Sequence, residues 1–587
     1  MSKYPQINND DFYDKINNIY KNFKVRKGER TLDDICHPKG YKLQLPQQFL
    51  SEFINPRTPY MGILVYHRIG SGKTCTAIRI AEKWKQYKRI VVVVPASLKN
   101  NFRNELRSLC AENNYLKDNE RKEIANLHPT DKRYKEIIEK SDERIDEYYE
   151  IYSYNKFVEG VQEKTLNLKN ALLIVDEVQN MVSEGGSFYK ALYDTIHSSP
   201  KDLRIVLLSA TPMFDKPNEI ALTMNLLRLP KEIPVGRDFD KKFIKTTIKK
   251  NGETNHHVKN IDLFKKYVKG YISFFRGAPP VAFPKMTIKY VKCEMTEFQY
   301  SAYTRVLANE ENELHNTKKF KKTLKSLKSL NVSDLPNNFY IGTRVISNIV
   351  FPNRKINDEG FDSLTDKRIL NDLPKFSCKF AEIMERINKC GGKIFVYSSF
   401  KEFGGIKSFA RILEAFGYKD VVHEGEGRKR YAVWSGDENI TLKEKIKAIF
   451  NMKSNIKGTK LKIILGSPSI REGVSLTSVR QVHVIEPYWN KSRLDQVIGR
   501  ASRFCSHKDL EEGSRNVKVY IYVSVAPKYG IKKDVPETID QYIQHLSMEK
   551  DKVIKTFERA IREVAIDCAL NKNANVYEGE EDIICDK

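Results

Sequence analysis

No apolar run in this sequence approaches the ~20 residues that a membrane-spanning helix needs. The opening stretch, MSKYPQINNDDFYDKINN, has no basic region followed by an apolar one, so no secretory signal peptide is expected. The expectation is a protein that stays inside a cell or is packaged from there. No C-x-x-C pair occurs, and the nine cysteines are scattered between Cys36 and Cys585. That spacing argues against a zinc site and against a disulfide framework, and for a reducing compartment. Internal repeats and long low-complexity tracts are also absent. Acidic residues fall short of basic ones, 75 against 101, which leaves a net charge of +26. A surplus of that size favours a polyanionic partner such as nucleic acid. The competing reading is compositional drift, because the chain is rich in Lys, Asn, Ile and Tyr.

What is present is a series of apolar runs with the character of buried parallel strands: Ile90–Val94, Ala171–Val175, Arg204–Leu208, Lys393–Tyr397, Lys462–Leu465 and Val482–Ile485. Helical stretches separate many of them, and strands alternating with helices imply parallel sheets covered on both faces. The runs fall into two groups, roughly residues 45–230 and 376–525. The region between them is rich in Lys and Phe, poor in strand signals and punctuated by FRGAPPVAFP. Within it, Lys318–Leu330 spaces Phe320, Leu324, Leu327 and Leu330 for an amphipathic helix, either solvated or touching phosphate. From Glu537 to Ala565 the pattern is helical again, and the closing YEGEEDIICDK reads as a mobile acidic tail.

Three clusters carry chemistry. Gly70, Ser71, Gly72, Lys73 and Thr74 follow an apolar run and precede a helical stretch, the setting in which backbone N–H groups and a helix N-terminus receive phosphate. Lys73 then reaches the β- and γ-phosphates, and Thr74 ligates Mg²⁺. The full pattern asks for glycine at position 67, where this chain has His67. Next, Ala171–Val175 runs into Asp176, Glu177, Val178 and Gln179. Carboxylates at the end of a buried strand suit a metal-holding Asp176, octahedral with waters and phosphates, and a water-activating Glu177, with Gln179 sensing the γ-phosphate or the other lobe. Last, Arg500 and Arg503 lie three apart, a spacing that puts both guanidiniums on one helix face, aimed at a transferring phosphoryl group. A chance Gly-rich turn, a strand end reaching solvent, and phosphate recognition or a surface arginine pair are the respective plain alternatives.

These segments spell a known order. The chain resembles superfamily 2 helicases and translocases: GSGKT (70–74) is similar to motif I, VPASLKNNF (94–102) to Ia, DEVQ (176–179) to II and SAT (209–211) to III. VYSSF (396–400) holds the counterpart of motif IV, REGVSL (471–476) of V, and QVIGRASR (496–503) of VI. Leu45, Pro46, Gln47 and Gln48 resemble the upstream glutamine motif, which implies Gln48 as the adenine contact. YHRIGSGKTCTAIRIAEKW, LLSATPMFDKPNEI, GYISFFRGAPPVAFP and VRQVHVIEPYWNKSRLDQVIGRASRFCSH look more particularly like the helicase-like ATPases of large nucleocytoplasmic DNA viruses. That group includes the poxvirus nucleoside triphosphatase I and the early transcription factor small subunit, with relatives on cytoplasmic linear plasmids. Where this family has a small residue after its YH, the chain has Arg68.

The resemblance implies an α/β fold of two RecA-like parallel-sheet lobes, a largely helical inter-lobe insertion and a helical C-terminal extension. The expected boundaries are 1–40, 41–232 (lobe 1), 233–375 (insertion), 376–525 (lobe 2) and 526–587. It implies ATP and Mg²⁺, with Thr74 and Asp176 as metal ligands and Ser209, Thr211, Gly473 and Gln496 coupling the ATP site to the track. Segments around Ser97–Asn101 and Ser398–Phe400 are the implied nucleic-acid contacts. The expected activity is a DNA-stimulated ATPase that moves on nucleic acid, DNA before RNA, in transcription of a large DNA virus or cytoplasmic plasmid. A viral-type RNA polymerase is an expected partner, a membrane is not, and the expected site is the cytoplasm, a viral factory or the virion. An RNA helicase, a promoter-binding transcription-factor subunit and a motor that displaces bound proteins stay open as alternatives.

Overall fold

β-branched and aliphatic runs with turn residues at both ends become short strands, and here they build two sheets. The computed structural model describes residues 4–26, 28, 31–37, 39–68, 70–129, 131–248, 254–315, 340–471, 474–528, 537–576 and 580–586. Lys318–Leu330 and Gly473 lie outside the described residues. The chain divides into two units. The first takes residues 1–245, 257–279 and 553–587, and the second takes 246–256 and 280–552.

The first unit holds β1 (Gly62–His67), β2 (Arg89–Val94), β3 (Tyr149–Ser153), β4 (Ala171–Val175) and β5 (Arg204–Ser209). β6 (Ile244–Ile248) and β7 (Thr254–Val258) pair in a separate ribbon whose residues 246–256 fall in the second unit, whereas β8 (Ile272–Phe275) again belongs to the first. The sheet runs β3-β2-β4-β5-β1-β8, with every pairing parallel. All of β1 and β4 is buried, as expected of strands with helices on both faces. One core cluster gathers side chains of these strands with Phe239, Phe243, Phe264 and Phe557.

The second unit holds β9 (Lys285–Glu294), β10 (Lys393–Tyr397), β11 (Lys419–Asp420), β12 (Arg430–Trp434), β13 (Ile463–Gly466), β14 (Val479–Val484) and β15 (Asn516–Val525). Its sheet is also parallel throughout, in the order β11-β12-β13-β10-β14-β15-β9. Two core clusters cover its two faces.

Several expectations need correction. The supposedly strand-poor region supplies an edge strand to each sheet, β8 to the first and β9 to the second. The residues of β9, KMTIKYVKCE, are exposed over the first half, so the strand carries no buried apolar run; lysines suit a sheet edge because they discourage further pairing. The acidic tail is held down: Glu580 pairs with Arg276, Asp582 with Lys572 at 2.7 Å, and Asp586 with Lys265 at 3.0 Å. Cys568–Cys585 and Cys75–Cys110 are disulfide-bonded, against the reading of cysteine spacing. They join residues 17 and 35 apart, pairings that only the folded chain brings about. Among the described residues, no helix is long and apolar enough to cross a membrane.

Candidate active site

In a parallel sheet every strand delivers its C-terminal residue to the same edge, and loops at that edge meet where strands are neighbours. β4, β5 and β1 are adjacent in the first unit. Their ends bring together Asp176 and Glu177 after β4, Ser209 at the end of β5, and the loop residues Arg68 and Gly70 to Gly72 after β1.

That loop turns through Gly70 and Gly72, at φ +84° and +75°, a region where a side chain would be strained. A Cβ on Gly72 would also stand 2.5 Å from Gln47 Nε2, so that amide would have to move away, and the positive φ is what favours glycine. The helix Lys73–Trp84 starts immediately afterwards, which points its unpaired N–H groups at the loop. Gln47 Nε2 donates to the Gly72 carbonyl at 3.2 Å. Gln48, the expected adenine contact, instead turns its amide back to the Leu43 carbonyl at 3.1 Å. The two glutamines are adjacent in sequence, and only the phase of the helix Leu45–Phe53 decides which one meets the loop.

Lys73 Nζ donates to Glu177 Oε1 at 3.0 Å. Gln179 Nε2 donates to Glu177 Oε2 at 2.5 Å, and Ser209 Oγ donates to Gln179 Oε1 at 2.7 Å. The Thr211 N–H in turn donates to Ser209 Oγ at 3.0 Å. Thus Lys73, Glu177, Gln179, Ser209 and Thr211 form one hydrogen-bonded chain from the phosphate loop to the end of β5. Glu177 has a left-handed backbone at φ 48°, a cost of about 1–2 kcal/mol for a non-glycine residue that this network sustains. Tyr154, which the sequence reading missed, donates its hydroxyl to the carbonyls of Asp176 at 2.7 Å and Glu177 at 2.9 Å. No motif spacing marks Tyr154; it follows β3, which β2 separates from β4 in the sheet.

Charge follows burial. Asp176 is 5% exposed, and its carboxyl is raised to about 6 by burial and by the neighbouring Glu177, against the pull of Lys73. Burial also raises Glu177, but Lys73 and Gln179 outweigh it, and its carboxyl sits below the ordinary range. The donor set fits ATP and a divalent cation. The Ser71 hydroxyl is buried without a hydrogen-bond partner, Lys73 spends its charge on a carboxylate, and Asp176 is a hard oxygen donor kept from water. Thr74, the second residue of the helix Lys73–Trp84, is half-buried at the same loop.

In the second unit, Ser398, Ser399 and Phe400 follow β10, and Glu486 follows its neighbour β14 by two residues. Glu486, 1% exposed, accepts from the Ser399 N–H at 2.5 Å, the Ser398 hydroxyl at 2.9 Å and Asn348 Nδ2 at 3.1 Å. Asn348 accepts from Lys379 at 2.8 Å, and Lys379 pairs with Asp540 at 2.6 Å. Arg344 lies between the rings of Phe400 and Trp489, at 4.8 and 4.9 Å. These residues border a cavity of about 290 Å³ with Ser399, Tyr488 and Arg493. Arg500 and Arg503 fall beyond the helix Lys491–Ile498, the first in a turn and the second in irregular backbone, so the shared helical face is not what positions them. Gly499 ends that helix, and the Arg500 carbonyl accepts from the Leu476 N–H at 2.9 Å. Burial lowers the Arg503 guanidinium from its ordinary value. Gln496 is half-buried on the helix itself.

Residues 47–339 match the SNF2-related domain, and residues 378–505 match the helicase conserved C-terminal domain. The chain is 50% identical to a putative ATP-dependent RNA helicase, R563, of Acanthamoeba polyphaga mimivirus, over all of this chain and 99% of that protein. It is 29% identical to putative helicase 087L of Invertebrate iridescent virus 3, over 91% of this chain but only 54% of that longer protein. It is 26% identical to the termination factor NPH-I homolog of African swine fever virus, over 87% of this chain and 76% of that protein.

Proposed function

This chain belongs to the helicases that join an SNF2-related domain to a helicase C-terminal domain, and from that premise we propose a DNA translocase that works in viral transcription. It is an ATP-hydrolysing enzyme that binds nucleic acid. The observation that carries the mechanism is the chain of hydrogen bonds Lys73–Glu177–Gln179–Ser209–Thr211 at adjacent strand ends.

In this reading, Lys73 leaves Glu177 for the β- and γ-phosphates when ATP arrives, and the loop N–H groups of Gly70 to Gly72 receive the phosphate oxygens. Freed from Lys73, Glu177 takes the proton of the attacking water, with Gln179 holding its other oxygen. Thr74 and Asp176 would hold Mg²⁺, which offsets the charge developing on the phosphates. Arg500 and Arg503 supply positive charge to the γ-phosphoryl oxygens when the lobes close. Ser209 and Thr211 pass the state of Gln179 to the end of β5, and Gly473 and Gln496 do the corresponding work in the second lobe. Gln48 is retained as the adenine contact, which requires its amide to leave Leu43.

DNA as the track, and transcription as the setting, draw support from the likeness to a termination factor homolog and from the net charge of +26. A viral-type RNA polymerase is then the natural partner, and the cytoplasmic viral factory or the virion the place of work. RNA as the track is favoured by one observation, the description of the 50% identical relative as an RNA helicase. The deciding experiment measures ATP turnover with duplex DNA, single-stranded DNA and duplex RNA, for the wild type and for Glu177→Gln. Stimulation by DNA, lost in Glu177→Gln while ATP still binds, is the expected result. Stimulation by RNA alone would replace the DNA reading, and wild-type turnover by Glu177→Gln would remove Glu177 from the mechanism.

A further inference from the structure

Asp567 is fully buried, and the mechanism above does not use it. A carboxylate in that position is costly unless donors surround it. Ser273 Oγ donates to it at 2.5 Å, Asn571 Nδ2 at 2.9 Å, and the Phe274 N–H at 2.9 Å. Burial still raises its carboxyl to about 7. Because Ser273 spends its proton on Asp567, its oxygen is left to accept from His67 Nε2, which lies 2.9 Å away. His67 and Ser273 are also fully buried, and His67 Nδ1 has no hydrogen-bond partner. The proton of the neutral ring is therefore fixed on Nε2. His67 is the last residue of β1, at the base of the phosphate loop.

A second set of contacts runs from the same C-terminal segment to residues 274–276, which lead into a glycine beside the same loop. Asn575 accepts from the Arg276 N–H at 2.8 Å and donates to the Phe274 carbonyl at 3.1 Å, while Glu580 pairs with the Arg276 guanidinium. Gly277, next in sequence, has φ +92°, and a Cβ there would stand 3.2 Å from Ser71 Cβ. The segment that holds residues 274–276 therefore sets a backbone that touches Ser71.

We propose that Asp567, acting through Ser273 and His67, is a positioning residue for the phosphate loop. The C-terminal segment from Val553 onward is thereby a working part of the ATP site. The inference rests on the reading of residues 70–74 as that site. The physical reason is geometric: loop N–H groups bind phosphate well only when the strand that launches them is fixed. A hydrogen bond that holds the last residue of that strand converts into ATP affinity. It does not convert into the rate of the chemical step, because none of these groups touches the reacting atoms.

The test uses the full-length chain and ATP, with Ser273→Ala, His67→Leu, His67→Gln and Lys73→Ala. Turnover against ATP concentration gives KM and kcat, and a fluorescent ATP analogue gives Kd. Ser273→Ala and His67→Leu should raise KM and Kd for ATP on the order of fivefold to tenfold, the worth of one buried hydrogen bond in a charged network, with kcat at saturating ATP within about twofold. His67→Gln should recover most of the loss, because its amide N–H can stand where the ring Nε2–H stood. A network that only braces the fold would lower the melting temperature and the active fraction and leave KM where it was. Unchanged KM in both Ser273→Ala and His67→Leu, with Lys73→Ala unable to bind ATP, would overturn the proposal. ATP binding by Lys73→Ala at wild-type strength would overturn the reading of the site beneath it. Ser273→Ala removes a single oxygen, so it decides the matter even where His67→Leu does not fold.

Discussion

The two sheets are both parallel and both present their working residues at the C-terminal ends of strands, yet one buried aspartate in each unit, Asp567 in the first and Asp540 in the second, is held in an opposite way. In the first unit, Asp567 is surrounded by neutral donors, a serine, an asparagine and a backbone N–H. In the second, Asp540 meets Lys379 directly, and burial raises the Glu486 carboxyl although the Ser399 N–H, Lys379 and Arg344 pull it back. A carboxylate held by neutral groups can be adjusted by one hydrogen bond. A carboxylate whose buried cation has no incoming anion to move to is locked, since removal of either partner strands a charge, whereas in the proposed mechanism Lys73 leaves Glu177 for phosphate. The first arrangement suits a loop that must respond to a ligand, and the second suits the rigid frame under Ser398 and Ser399.

The largest test of this contrast is catalytic. Arg500→Ala and Arg503→Ala, in the second unit, should cut DNA-stimulated turnover by about 10³–10⁵ while ATP affinity holds, because an arginine finger acts on the transition state. Lys73→Ala, in the first unit, should lose ATP binding itself. Turnover and ATP affinity measured for all three variants would sharpen the division of labour, and full stimulated turnover in both arginine variants would erase it.

Stability comes next. Lys379→Met should destabilise the second unit by about 3–5 kcal/mol, the cost of leaving Asp540 buried and unpaired. Asp567→Asn should cost the first unit about 1–3 kcal/mol, since it exchanges one acceptor among neutral donors for a donor. Denaturant unfolding followed by hydrogen exchange reports each unit separately, and equal losses would break the contrast.

Acidification should produce the smallest effect. Burial pulls His483 down to about 3 and His507 to about 4, so the stability from keeping them neutral is present above pH 6.5 and is lost as pH falls below it. His67, pulled down to about 3, has the same sign in the first unit. There it is opposed by Asp567 and Glu219, both raised to about 7 by burial, whose protonated forms stabilise the fold as pH falls. Glu486, also raised by burial, offsets part of the loss beside β14, but two histidines stand against it there and one in the first unit. Between pH 7.5 and 5.5, amide exchange should therefore rise more in β14 than in β1 or β8. Equal rises in the three strands would show that these groups do not govern acid sensitivity.

By itself, the sequence determined the parallel α/β architecture, because apolar runs such as Ile90–Val94 and Ala171–Val175 have no stable home except a sheet covered on both faces. It also marked the candidate phosphate loop and the DEVQ carboxylates, since the chemistry proposed for them depends on residues adjacent in the chain. What it could not determine were choices made across long separations. Gln47 rather than Gln48 meets Gly72 because a helix fixes the direction of each side chain. β9 joins β15 with a half-exposed strand, so no apolar run announces it. Tyr154 reaches Asp176 and Glu177 only because β2 stands between β3 and β4 in the sheet. Asp567 lies 500 residues from His67, with Ser273 between them, and only the placement of the C-terminal segment against β8 makes the three a unit. Local chemistry is written in neighbouring residues, whereas hydrogen bonds between distant residues exist only once burial of the apolar core has brought their strands and helices together.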